Sequence, residues 1–300
     1  MNNLTIIMYH YVRNLKNSRY PNINGINLKF FKNQLNFIQK NFNVISYQDI
    51  EHSLINKRKL PKKACWLTFD DGMSDHYKNV FPELRKRKLT AGFFPPAKAI
   101  EKRKMMDVHK IHILMASTKN EKIINEIKNY LNKSLFYKMW KKYAKKDSLN
   151  SIEEAFIKRL LQKGLDHSTR SKIISELFRK YVTKDERSFA DDFYMNKKEI
   201  KEMVSENMYF GSHGYNHLWL DSVNENTQKN EINKSLKFLK TIGSKTKNWA
   251  MCYPYGAFNP SLKKILNKKK CLIGITTENK KAFLNEKNRF NLPRIDTVFL

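Results

Sequence analysis

Short apolar runs alternate with amphipathic helical stretches near both ends of the chain, and this alternation constrains the fold more than any other feature. Residues 4–9 form an apolar run that reads as a buried strand. Asn27 is placed to cap a helix carrying Phe31, Leu35 and Ile38 on one face. Residues 64–69 make a second strand, broken by Asp70-Asp71-Gly72. A helix follows through Tyr77, Phe81 and Leu84, then a third strand over residues 90–94, ended by Pro95 and Pro96. The pattern resumes late in the chain. Asn196 and Glu199 open a helix through Ile200 and Met203, and residues 208–212 are strand-like up to His213. Ile232, Leu236 and Leu239 mark another helix, ended near Gly243. Strands over 249–253 and 272–276 flank a lysine-rich helix, and an extended segment lies around 292–295. Repeated strand–helix units call for a parallel sheet or barrel with helices outside. Working residues then collect at the C-terminal ends of the strands. His10, Asp70 with Asp71, His213 and Tyr255 all fall there.

Between the two regions the texture changes. Residues 97–196 carry no strand signal and read as charged helices. Ser151 and Glu154 form a capping-box pattern ahead of Phe156, Leu160 and Leu161, with Gly164 to close the helix. Ile173, Ile174, Leu177, Phe178 and Tyr181 form an apolar stripe of packing residues. The expected organisation is an α/β barrel built from 1–96 and 197–300, with 97–196 as a helical insertion or subdomain.

Composition bounds the function. The 300 residues are 41% hydrophobic and 12% aromatic, a globular and not a disordered chain. No run approaches the roughly 18 apolar residues of a membrane span, and the first residues lack the features of a secretory signal, so a cytoplasmic location is expected. Three cysteines without CxxC spacing argue against a disulfide framework or a cysteine zinc site; Cys65 and Cys271 read as buried thiols. The net charge of +30 would favour phosphate-bearing substrates, an anionic inner-membrane surface or nucleic acid. Abundant Lys, Asn and Ile also follow from a low-GC genome, and solvated lysine faces explain most of the charge.

Two adjacent carboxylates at a strand end are costly if buried without partners, and a cation relieves that cost. Their side chains diverge, so Asp71 can bind metal while Asp70 faces a water; Gly72 permits the tight turn. In His213-Gly214-Tyr215-Asn216-His217 the imidazoles stand four apart, on one face if the segment is helical. Asp71, His213 and His217 make a two-histidine, one-carboxylate set that leaves positions open for water and substrate, as catalytic zinc or iron(II) requires. Asp70 is then the general base, and a backbone N–H helps hold the oxyanion.

At this point the motifs resemble those of the polysaccharide deacetylases of the NodB-homology type (carbohydrate esterase family 4). Thr68 to Gly72 matches the TFDDG motif, His213 through His217 the HxxxH metal motif, Tyr253-Pro254-Tyr255-Gly256 the PYG motif, and Leu292-Pro293-Arg294-Ile295 a late LPRI-type segment. Met8-Tyr9-His10 is similar to the opening strand of some members. The resemblance implies a distorted (β/α) barrel of fewer than eight strands and hydrolysis of an N-acetyl, sometimes O-acetyl, group on a sugar. It implies Asp70 as base, a divalent metal, foremost zinc, on Asp71, His213 and His217, and the Tyr255 backbone N–H at the oxyanion. Gly72, Pro254, Tyr255 and Gly256 would line the sugar groove. Two departures stand out. The Arg that many members carry ahead of PYG is absent, and Arg294 is the candidate replacement. No His follows His217 to serve as general acid, and His10 is the candidate. The expected substrate is an acetylated sugar or glycan precursor, suited by the basic surface to a phosphate-bearing carrier. An O-acetyl or other amide hydrolase, or a basic nucleic-acid-binding protein on a degenerate scaffold, are the competing readings; the full metal set counts against the last.

Overall fold

A computed structural model describes residues 3–147 and 149–300. The chain forms two compact units. One joins Gly25–Arg103 and Asp191–Leu300 with the N-terminal stretch up to Asn14; the other joins Leu15–Asn24 with Lys104–Ala190.

The first unit is a distorted (β/α) barrel. Its wall consists of β1 (Asn3–Tyr9), β2 (Ala64–Asp70), β3 (Gly92–Phe94), β4 (Tyr209–Phe210), β5 (Trp249–Cys252), β6 (Cys271–Ile275) and β7 (Ile295–Asp296). β1 pairs parallel with β2 from Leu4↔Ala64 to Tyr9↔Phe69, β2 with β3, and β3 with β4. β5 pairs with β6 and β7 with β1, again parallel. Two single-residue bridges complete the ring: Ser212 to Met251, and Ile275 to Leu292. At the first seam Ser212 N donates to Ala250 O and Cys252 N to Ser212 O, at 3.0 and 2.8 Å.

Alternation along the strands sorts side chains to two faces. Tyr9, Phe69, Phe93 and Phe210 stand on one face in register, their rings stacked at 4.9, 5.0 and 5.4 Å, and Phe31 meets Tyr9 edge-on at 5.3 Å from helix Leu28–Asn41. Each such pair adds about 0.5–1.5 kcal/mol beyond simple burial. The opposite face supplies Ile6, Trp66, Phe94, Ala250, Ile273 and Ile275 to a separate core. Asp70 shares the parity of Trp66 and Thr68, so the strand's own period directs its carboxylate inward. Helix Leu28–Asn41 starts at Asn27, whose side chain accepts from Lys29 N, and helix Lys197–Ser205 starts with both bonds of the Asn196–Glu199 capping box.

The second unit is helical among the described residues. Helices Asp107–Ser117, Asn120–Tyr130, Lys133–Tyr143, Ile152–Arg159 and His167–Tyr181 contribute Ile111, Ile123, Phe136, Phe156, Ile173 and Leu177 to one core. Ser151 and Glu154 form the expected capping box. Buried Lys110 is paired with Glu186 at 2.9 Å. The three cysteines are free and buried.

Candidate active site

β2 ends at Asp70, and the chain turns at once. Asp71 adopts φ +76° and Gly72 φ +67°. A Cβ at Gly72 would stand 2.5 Å from the Cβ of Pro95, so the turn admits only glycine there. The turn separates the two carboxylates, and each meets a different set of partners.

Asp70 faces Arg294, which enters just ahead of β7. The guanidinium donates from Nη1 to Oδ1 at 2.9 Å and from Nη2 to Oδ2 at 2.7 Å. Its Nε donates to the Thr276 carbonyl at 2.7 Å and Nη1 also to Thr68 Oγ1 at 3.2 Å. Both side chains are buried, at 0% exposure for Arg294 and 1% for Asp70. The Cys252 thiol adds a third donor to Asp70, at 3.4 Å. Burial pushes the Asp70 pKa up, but Arg294, with His213 and His10, more than cancels this and holds it at about 2. Burial works against the Arg294 charge, and Asp70 restores it, raising its pKa further. His10 Nε2 stands 3.8 Å from Asp70 Oδ2, its side chain 40% exposed. Buried His76 hydrogen-bonds the His10 carbonyl through Nε2 at 2.9 Å, fixing that backbone.

Asp71 faces the two histidines. His213 Nε2 and His217 Nε2 lie 3.5 and 3.4 Å from Asp71 Oδ1. His213 Nδ1 is 2.8 Å from the Cys252 carbonyl, which fixes Nδ1 as the protonated nitrogen and leaves the Nε2 lone pair directed at the Asp71 side. Burial alone would lower the His213 pKa; Cys252, Asp71 and Asp70 raise it well above its ordinary value, so the pocket favours positive charge.

This donor set fits a divalent ion. Two ligands at about 2.1 Å from a tetrahedral centre stand roughly 3.4 Å apart, the spacing found here. A second cluster, Asp70 with His213 and Cys252, is also close enough to be considered. It fits less well, because Arg294 occupies both Asp70 oxygens and burial keeps the Cys252 thiol protonated.

The HxxxH segment is a loop, not a helix. Gly214 and His217 take φ +72° and +56°, and the chain folds back so that the imidazoles meet at 4.7 Å. Glu231, buried on helix Glu225–Thr241, holds this loop by accepting from Tyr215 N at 2.9 Å, Asn216 N at 2.8 Å and the Asn216 amide. The Pro254-Tyr255-Gly256 turn follows β5. Tyr255 takes φ +58°, its ring lies 4.8 Å from that of His217, and the Trp219 indole stacks on it at 4.2 Å. A Cβ at Gly256 would meet Thr277 Oγ1 at 2.4 Å.

Thus Asp70, Asp71, Gly72, His213, His217, Arg294, His10 and the Pro254–Gly256 turn converge at one end of the barrel. Sequence reasoning missed Glu231 and Trp219. The first offers no local signal. The second is a large aromatic two residues beyond a candidate ligand, which could have drawn attention.

A family model described as polysaccharide deacetylase matches residues 57–271. The chain belongs to the polysaccharide deacetylase family. Among curated relatives, YxkH of Bacillus subtilis (strain 168), provisionally named a polysaccharide deacetylase, is 28% identical over 98 residues; the match spans 32% of this chain and only 33% of that protein. Among solved structures, the deacetylase PplD of Streptococcus pyogenes, in complex with acetate, superposes with a TM-score of 0.60 at 19% identity, over 98% of this chain and 92% of the other. IcaB from Ammonifex degensii gives 0.58 at 20% identity, over 99% and 92%. The BpsB deacetylase domain from Bordetella bronchiseptica gives 0.57 at 16%, over 98% and 95%. At these identities the deacetylase structures establish the fold.

Proposed function

We propose that this chain is a metal-dependent hydrolase that removes an N-acetyl group from a sugar in a glycan or glycan precursor. One observation carries the reading: at the same strand end, Asp71 shares Oδ1 with two imidazoles while its neighbour Asp70 is held apart by the Arg294 fork. Asp71, His213 and His217 would hold the ion, for which their oxygen and nitrogen donors suit zinc. Bound there, it would acidify a water and polarise the acetyl carbonyl.

The protein's own groups do the rest. Asp70 stays ionised at any working pH and takes a proton from the attacking water as that oxygen bonds to the acetyl carbon. Arg294 keeps both carboxylate oxygens in place. The Tyr255 backbone N–H donates to the carbonyl oxygen as it becomes negative. The carbon–nitrogen bond then breaks, and His10, within reach of Asp70 and open to solvent, protonates the leaving amine. The products are acetate and a free amino sugar. Gly72 and the Pro254–Gly256 turn line the sugar groove.

The +30 charge suits a glycan on a phosphate-bearing carrier at an anionic membrane surface. Among the described residues, no helix is long and apolar enough to cross a membrane. The test is acetate release from N-acetyl and O-acetyl sugars, free and carrier-linked, with and without chelator. Chelation abolishes release and zinc restores it; Asp70→Asn lowers the rate about 10²–10⁴-fold, and His10→Gln lowers it chiefly for the amide. Release indifferent to chelator, or full activity in Asp70→Asn, refutes the proposal.

A further inference from the structure

Besides Asp71, two residues of the site, His217 and Tyr255, hold left-handed backbone conformations that side-chain-bearing residues avoid, at φ +56° and +58°. Such conformations persist where the surroundings over-determine them. Here rings meet at both positions. Trp219 lies flat on Tyr255, with centroids 4.2 Å apart and planes 5° from parallel. Tyr255 meets His217 nearly perpendicular, at 4.8 Å and 76°, and His217 meets His213 likewise, at 4.7 Å and 75°. The outermost ring has its own anchor. Leu220, next in sequence, is fully buried, and its carbonyl accepts from Gln228 Nε2 at 2.7 Å. Gln228 and Glu231 sit on the same helix, Glu225–Thr241, so one rigid element fixes both Trp219 and the ligand loop.

We infer that Trp219 is a positioning residue that couples the Pro254-Tyr255-Gly256 turn to the metal ligand His217, so that the oxyanion donor and the metal set move as one aromatic assembly. The inference rests on the hydrolase reading above. The indole need not touch the reacting atoms. It presses Tyr255 into place from one side while His217 borders it on another. Loss of the indole frees the Tyr255 ring to rotate, which relaxes the turn that carries the backbone N–H and removes the surface that His217 abuts.

The test compares Trp219→Ala and Trp219→Phe with wild type in the full chain. Zinc affinity is measured by competition with a chromophoric chelator, and kcat and KM by acetate release. Trp219→Ala weakens zinc binding roughly tenfold, the scale of losing an outer support of a ligand, and lowers kcat with little change in KM. Trp219→Phe, which keeps a stacking ring, recovers most of both. Unchanged zinc affinity and kcat in Trp219→Ala overturn the inference. So does a raised KM with kcat and zinc affinity intact, which makes the indole a sugar contact. A Trp219→Phe protein that is folded by circular dichroism yet as impaired as Trp219→Ala also counts against it. If wild type releases no acetate, the hydrolase reading falls while the zinc comparison still decides the coupling.

Discussion

Replacing Arg294 with Met removes the one cation paired with the buried Asp70 carboxylate through two hydrogen bonds, at 2.9 and 2.7 Å. In the intact protein Asp70 is held at about 2, against an ordinary 3.8. The difference corresponds to about 2 kcal/mol of stability for the metal-free protein. That contribution is fully present above the unfolded pKa. It is lost as pH falls through the folded one, because the unfolded chain takes up its proton first. Without the guanidinium, burial prevails and the Asp70 pKa rises above its ordinary value. The sign then inverts: the carboxylate destabilises at neutral pH, and stability recovers as pH falls through the new pKa toward the ordinary one. The total loss at neutral pH is about 3–5 kcal/mol, that of breaking a buried ion pair. Urea unfolding of the chelated protein at several pH values resolves this. The Asp70 contribution in wild type is lost only at strongly acid pH, whereas Arg294→Met starts lower and, relative to wild type, gains on mild acidification. Arg294→Lys keeps the charge but not the fork and falls between. In acetate release, the acid limb of the Met variant moves to higher pH. Wild-type stability with an unshifted pH profile in Arg294→Met would refute the role given to this pair.

Glu231→Gln presents an amide N–H₂ to donors that now meet carboxylate oxygen, so zinc affinity falls about 10–100-fold and stability by about 1–3 kcal/mol, read by chelator competition and urea unfolding. Gly72→Ala forces a Cβ toward Pro95 at φ +67°, costing about 1–3 kcal/mol in a thermal melt and a larger fraction of kcat than of KM.

Much of the site was legible because its residue types are chemically costly where they stand. Adjacent carboxylates at the end of an apolar strand demand partners, and an arginine beside a late extended segment supplies one. The strand–helix alternation of residues 4–96 and 196–296 likewise carries the barrel. What escaped the sequence is tertiary. The HxxxH spacing would align two imidazoles on a helix, yet they meet through a loop that Gly214 and His217 turn back on itself. Glu231 looks like any acidic residue of an amphipathic helix until its carboxylate is seen accepting from two backbone N–H groups. Ser212 and Leu292 close the barrel wall as single residues, too few for any periodicity to register. Nothing local in Leu15–Asn24 ties it to Lys104–Ala190, with which it forms one unit.

The seam between β4 and β5 has a consequence for how this site can change over time. Among the described residues Ser212 supplies the only β-bridge there, and the next residue, His213, adds its own bond across the same gap, from imidazole to the Cys252 carbonyl. The proposed ligand side chain therefore serves as a rung of the wall. A lineage that abandoned catalysis would still be under pressure to retain this histidine for closure and the Asp70–Arg294 pair for stability, while His217 would be freer to drift. A His213 retained without His217 would then testify to architecture and not to chemistry.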